Sequence, residues 1–470
     1  MRLRVLVAVG LLAAAVWAPL AWTAEATVEY QGPALTAGRE RVPEGVVPTE
    51  LSLEKAIELA IQYNPQVDSA FAGVKVADSQ IEQAASLLAA RLSVTTSRVT
   101  PVNLPPFSFQ NPATTWETDF SLSQPLYTGG ALSAGLAAAQ SFREGAAGTY
   151  HRAQQQTAFA ARASYCAVLT AEEGVNVAQQ VVDSAMETLR VARLRYQAGV
   201  APQFDVLSAE ARVARVDQGL IAARVQRDIA WAQLSTVLGV PIPIGTRLTA
   251  PRLVIYTEGD FETLREEALA HRPDLAAAEG AVAVARAQLG IAKAAKQPTV
   301  AASMSYSLRP STVVSGDLFG QPGTDIVVSQ NSGAIALSAN WSLFNAGQVE
   351  GEIDQARSQL RQAEDGLTGL KQQVELDVRS AYVSVSAATA QVAAAQKEVA
   401  QAQEAFRVAT IRYEEGVGTS VEILSAQADL ADARTRLNQA NFGLNLAVAQ
   451  LDLALGRTVT ATATPPQGTG

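Results

Sequence analysis

Two hydrophobic periods divide the chain. Over 346–415, Val385, Ala388, Val392, Ala395, Val399, Ala402, Phe406, Ala409 and Tyr413 step by alternating three and four. That is a heptad seam, which packs as a left-handed coiled coil. Upstream, Leu367, Leu370, Val374, Val378 and Tyr382 step 3-4-4-4, closer to an eleven-residue repeat with a straighter course. One helix thus changes its packing mode along its length. Helical patterning also predicts a long helix over 129–198, return helices over 203–239 and 419–456, and medium helices over 52–90 and 262–296. A helix of about 70 residues spans roughly 105 Å, longer than an ordinary globular core.

Shorter segments alternate with period two. Trp116, Thr118, Phe120 and Leu122 interleave with Thr115, Glu117, Asp119 and Ser121. Val300, Ala302, Met304, Tyr306 and Leu308 interleave with Ala301 and serines. Ile335, Leu337, Ala339, Trp341 and Leu343 interleave with small polar residues, and 91–99 alternates more weakly. These are strands with one apolar face. Residues 326–349 carry no charge, but their alternation and Gly333 argue against a membrane helix.

The whole layout occurs twice. Arg162, Tyr165 and Arg195-Tyr196 recur 217 residues later as Arg379, Tyr382 and Arg412-Tyr413; Leu126-Tyr127-Thr128-Gly129 recurs as Leu343-Phe344-Asn345-Ala346. Asn64-Pro65 recurs as Arg272-Pro273 at an offset of 208, so the second copy holds an insertion of nine, placed in the Gly/Ser-rich stretch 309–333. The expected division is a signal peptide (1–26), a lead segment (27–50), repeat 1 (51–239), a Pro/Gly-rich linker (240–260), repeat 2 (261–456) and a flexible tail (457–470). In each repeat a medium helix, two strands and a long helical hairpin follow in order. The return helices stop at Leu238-Gly239 and Leu455-Gly456, and the long helices at Gly199 and Gly416, positions suited to a left-handed residue past a helix end.

The strands are of a length that crosses an outer membrane, apolar side out and polar side in. A half-buried soluble sheet has the same period, but no other apolar layer is available to cover these strands. Trp116 and Trp341 stand where an interfacial aromatic belt belongs. Four strands cannot close a barrel, and an open edge in lipid leaves backbone groups unpaired. Three chains sharing twelve strands is the simplest closure. The predicted fold is mainly α with a small membrane β part: duplicated helical hairpins in a trimeric α-helical tunnel, plus a shared 12-stranded outer-membrane β-barrel.

Composition narrows the function. The net charge is −9 with no basic block, so nucleic acid is not an expected partner. The lone Cys166, whose counterpart is Val383, reads as a small buried apolar residue, and His151 and His271 lack ligand spacing. No metal site, cofactor or catalytic constellation is expected. Arg2 and Arg4 precede an apolar run from Val5 to Ala18 and a small-x-small site at Ala24-Glu25-Ala26, the pattern of a secretory signal. No cysteine lies near that site, so no lipid anchor is expected there. An uncleaved anchor fits less well, because the run is short for a span.

The order of helices and strands, the duplication, and the tips LRYQAGVAPQFDVLSAEARV and IRYEEGVGTSVEILSAQADL closely resemble the TolC-like outer membrane factors, the outer membrane efflux protein family of Gram-negative bacteria. The similarity covers about 50–456. It implies a homotrimeric duct, set in outer-membrane lipid and crossing the periplasm, gated at its inner end and without enzymatic activity. A periplasmic adaptor (membrane fusion) protein and an inner-membrane pump of the RND or ABC type would be its partners. A structural or adhesive trimeric coiled coil is the other class, but it predicts heptads without paired alternating strands.

Matching the tips to the family assigns a periplasmic gate of Asp205, Tyr413 and Glu422. Gly199-Val200 and Gly416-Val417 become adaptor-docking tips. Where prominent members carry an arginine clamp this chain has Gly418, and where they carry a second acid it has Ser425. The resemblance therefore implies a single acidic ring of Glu422, favouring cations and binding divalent metals weakly. Local chemistry offers another reading of the same residues. Thr419-x-x-Glu422 is a capping box, Pro202 suits a first helical turn, and Asp205 complements the helix dipole. Tyr413 also closes the heptad seam.

Overall fold

The computed structural model describes residues 47–99, 115–249, 260–308, 312–318, 321–328, 331–415 and 417–457. The signal peptide, most of the lead segment, part of the linker and nearly all of the tail lie outside the described residues. In repeat 1, β1 (Glu50–Leu51) leads into α1 (Leu53–Tyr63), α2 (Pro65–Ser86), β2 (Arg91–Val99), β3 (Thr115–Tyr127), α3 (Ala131–Gln197) and α4 (Gln203–Leu238). After β4 (Arg247–Leu248), repeat 2 runs through α5 (Phe261–His271), α6 (Pro273–Ala294), β5 (Thr299–Leu308), β6 (Thr312–Leu318), β7 (Gln321–Val328), β8 (Ser332–Asn340), α7 (Gln348–Glu414) and α8 (Ser420–Leu455). Helix lengths of 11, 22, 67 and 36 residues occur in that order in both repeats.

Each predicted medium helix is in fact two. The break falls at Asn64-Pro65 and at Arg272-Pro273, where ψ is 127° and 124°. A residue before proline is pushed out of the α region, and proline then opens the next helix. The break is where each repeat is tied together. Asn64 caps α2 by accepting from Gln66 N at 2.8 Å, and its Nδ2 donates to Val237 O at 2.8 Å, near the end of α4. In repeat 2 the same place holds Arg272, which donates to Ala454 O at 3.4 Å and to Asp274 and Asp377 at 2.6–3.1 Å. Gly239 (φ 72°) closes down on Tyr63; a Cβ there would meet Tyr63 O at 2.3 Å, so no other residue fits this stop.

The packing fits the two periods. Every residue of the heptad seam is buried or half-buried, as are Leu367, Leu370, Val374, Val378 and Tyr382. Leu264, Val374, Val378, Val448, Leu451 and Leu455 form the core of repeat 2. The helix α6 is long and apolar enough to cross a membrane by length and composition, yet it lies against α3 at backbone contact: a Cβ on Gly148 would meet Pro273 O at 2.6 Å. Fully buried Tyr165 places its hydroxyl 2.7 Å from both Leu51 O and Thr249 O, pinning the chain on either side of the β1–β4 pair to α3. Burial pushes that hydroxyl up to about 12.

The repeats are not covered equally. Cys166 is 6% exposed, as expected of a packed thiol, but its counterpart Val383 is 58% exposed. Among the described residues α3 packs against α2, α4, α6 and α8, whereas α7 packs against α5, α6 and α8 and leaves the matching face uncovered. His151 and His271 are exposed, bonded locally to Gln154 and to Glu267 O.

Four strands form one antiparallel sheet in the order β2-β3-β5-β8. Register lines up its faces. One face carries the rows Leu92-Leu122-Met304-Ile335 and Val94-Phe120-Tyr306-Gly333. The other carries Ser93-Ser121-Ser305-Ala334 and Thr95-Asp119-Ser307-Ser332. Ser93 and Ser121 are bonded at 2.6 Å, and Ser307 donates to Asp119. Three details depart from expectation. The stretch read only as a Gly/Ser-rich insertion contains the β6–β7 hairpin, and β3 continues past Leu122 through a bulge at Pro125–Tyr127. Trp341 lies one residue beyond the last strand.

Candidate functional site

The tips of the two hairpins meet. At the first, the backbone turns by a paired helix-end motif: Gly199 (φ 74°) donates to Tyr196 O and Val200 to Arg195 O, both at 3.0 Å. At the second, Val417 donates to Arg412 O at 3.0 Å and Gly418 to the same oxygen at 2.8 Å. Gly416 lies outside the described residues. Val200 and Val417 are exposed. Gly418 packs on the end of α7, where a Cβ would stand 3.0 Å from Arg412 Cβ and Tyr413 N. A side chain at this position would press on the helix it follows.

Tyr413 ends the seam only 3% exposed, against 47% for its counterpart Tyr196. Its hydroxyl is buried without a hydrogen-bond partner among the described residues. Burial raises its pKa and the nearby Asp205 carboxylate adds to this, while the Arg195 guanidinium opposes both. Asp205, half-buried, stands in the first turn of α4, and Pro202 is the N-cap before that helix rather than part of its first turn. Thr419 caps α8 by accepting from Glu422 N at 3.2 Å. The exposed Glu422 carboxylate lies 3.7 Å from Arg412 Nε. The Asp205 carboxylate thus lies close enough to act on Tyr413 electrostatically, and Glu422 belongs to the second tip beside Arg412.

Arg195 is a site residue that the sequence alone does not single out. It reaches from the first repeat to the second, donating from Nη1 to Tyr413 O at 2.7 Å with Cζ 4.7 Å above the Tyr413 ring. The recurrence of Arg-Tyr in both tips was visible, but nothing in it says which arginine crosses over.

The two tryptophans lie toward opposite ends of the sheet. Trp116 pairs with Arg98, whose guanidinium sits 5.2 Å above the indole. Trp341 donates to Lys296 O at 3.1 Å, beside the start of β5. About 12 strand positions separate their levels; at ~3.4 Å each and a tilt of about 40°, that is about 30 Å, the thickness of a hydrocarbon layer.

A sheet with one apolar and one serine-rich face, carrying helical hairpins about 100 Å long, defines a channel subunit. The family model for outer membrane efflux proteins matches residues 56–240 and 264–457, and the chain belongs to that family. It is similar to the protein CyaE of Bordetella pertussis, 27% identical over 394 residues, covering 81% of this chain and 78% of that protein. The outer membrane efflux protein BepC of Brucella suis biovar 1 is 26% identical over 380 residues, covering 81% of this chain and 79% of BepC. The solved structure of VceC from Vibrio cholerae shares the fold with a TM-score of 0.70 at 21% identity, covering 86% of this chain and 96% of VceC. The chain is an outer-membrane efflux channel subunit with a periplasmic helical tunnel. Proteins of this family are transport components and act as trimers in tripartite systems.

Proposed function

We propose that the chain is a passive export duct closed at its periplasmic end by its own hairpin tips. Tyr413, Asp205 and Glu422 are the gate, and the observation that carries this reading is the burial of Tyr413 where the two tips meet. Glu422 lines the mouth as one acidic ring while Thr419 keeps its capping role. The exposed Val200 and Val417, with Gly199 and Gly416, receive a periplasmic adaptor, and an inner-membrane pump of the RND or ABC type supplies the energy. Trp116 and Trp341 sit in the two interfaces of the outer membrane. The duct performs no chemistry of its own. In this reading the two repeats, 51–239 and 261–456, are the working units, each contributing two strands and one long helical hairpin.

The gate is tested by replacing Glu422 with Ala and recording single channels in planar bilayers. Three lost carboxylates at the mouth should weaken cation preference. Unchanged selectivity would leave Glu422 as a helix cap only.

A further inference from the structure

Arg195 and Arg412 hold the same place in their repeats, the last turn of α3 and of α7. Their side chains do different things. Arg412 stays in its own hairpin beside Glu422. Arg195 leaves its hairpin and holds Tyr413 of the other repeat by two contacts, a 2.7 Å hydrogen bond to the backbone carbonyl and a stacked guanidinium. The carbonyl is among the last of α7, where helix-end oxygens lack intrahelical donors and carry partial negative charge. A planar guanidinium can satisfy that oxygen and cover the ring together; an ammonium cannot do both as well. The buried hydroxyl has no hydrogen-bond partner among the described residues, although the Arg195 guanidinium is near enough to act on it, so the main hold is on the ring and the carbonyl.

We propose that Arg195 is a positioning residue of the gate: it latches the second tip to the first, and must release Tyr413 for the mouth to open. This rests on the reading of the tips as the periplasmic gate. The latch acts through the ring and the main chain of residue 413. It therefore separates the parts of Tyr413 that matter from those that do not.

The test uses the full-length trimer in planar bilayers, with assembly checked on native gels. Arg195→Ala should raise the open fraction by roughly 30-fold or more, the scale of losing a charge-assisted hydrogen bond and a stacked cation. Arg195→Lys should give an intermediate rise. Tyr413→Phe, which keeps ring and carbonyl, should gate as the wild type does. Tyr413→Ala should open the mouth, and combining it with Arg195→Ala should add less than the sum, since both remove the stacked contact. Should Arg195→Ala fail to assemble, Arg195→Lys and Tyr413→Ala carry the test. Wild-type gating in assembled Arg195→Ala trimers overturns the latch while leaving the duct intact. So does a Tyr413→Phe channel as open as Arg195→Ala, because the hydroxyl would then be the handle. A wild-type trimer that never conducts overturns the duct reading itself, and the latch with it.

Discussion

At the scale of single residues, duplication lets one site act as a control for another. Gly129 and Ala346 occupy the same strand-to-helix turn, and both have positive φ, 64° and 51°. Among described residues Ala346 is the one non-glycine in that region. A Cβ on Gly129 would meet Gln297 Cβ at 2.5 Å and Ala294 O at 2.8 Å, whereas Ala346 is exposed. The left-handed conformation costs a non-glycine residue roughly 1–2 kcal/mol, partly offset by the entropy that glycine loses on folding. Ala346→Gly should therefore raise stability by up to about 1 kcal/mol. Gly129→Ala should lower it by about 2–3 kcal/mol, since steric overlap adds to the strain. Thermal unfolding of the detergent-solubilised trimer measures both. Equal effects at the two sites would show that φ alone, and not the crowding around Gly129, sets the cost.

At the scale of elements, the helix break of repeat 2 carries a buried charge cluster that responds to acid. Arg272 is 4% exposed and bridges α6, α7 and the end of α8 through Asp274, Asp377 and Ala454 O. Burial pushes the Asp274 carboxyl up, but the Arg272 guanidinium outweighs it and holds the carboxyl below its usual range. A depressed native pKa stabilises the fold above the ordinary carboxylate value, about 3.9, and the contribution is lost as pH falls from there through the native value. Asp274→Asn should thus cost about 3 kcal/mol at pH 7, because Arg272 loses a partner in a buried pair. The gap to wild type should narrow below about pH 4. A gap constant from pH 7 to pH 3 would mean that packing, not charge, is what Asp274 supplies. Much of this level could be read from sequence. Glycine at 239 and 456 marks the stop and alternation identifies the apolar strand face, whereas helical periodicity runs straight through the breaks at Pro65 and Pro273. The β6–β7 hairpin was hidden, because its segment includes glycines and a proline that read as loop. The crossing of Arg195 was hidden for another reason. It depends on which repeat lies over which, and periodicity within a helix carries no information about that.

At the scale of the whole molecule, the repeats differ most in the charge of their tips. Residues 186–215 hold five arginines and three carboxylates, a net +2; the matching 403–432 hold two arginines and six carboxylates, a net −4. In a trimer of this family six tips surround one axis, and threefold symmetry makes first and second repeats alternate around it. Each acidic tip then has a basic tip on either side, one within its chain and one from the next. Attraction between unlike tips draws the mouth closed, and salt weakens it: the screening length falls from about 10 Å at 0.1 M to about 3 Å at 1 M. Bilayer conductance divided by the conductivity of the bath should therefore rise with salt. An acidic pore of fixed width does the reverse, because its carboxylates enrich cations most strongly in dilute salt and the ratio falls as salt is added. The two effects have opposite sign, so one titration in potassium chloride distinguishes them. Replacing Arg190 and Arg193 by Glu takes the first tip from +2 to about −2 and leaves like charges facing each other. That variant should conduct at 0.1 M as the wild type does only at 1 M, and added salt should then lower its ratio. A wild-type ratio that falls with salt, unchanged by the double substitution, would mean that tip charge does not hold the mouth closed and that contacts such as Arg195 on Tyr413 do so without it.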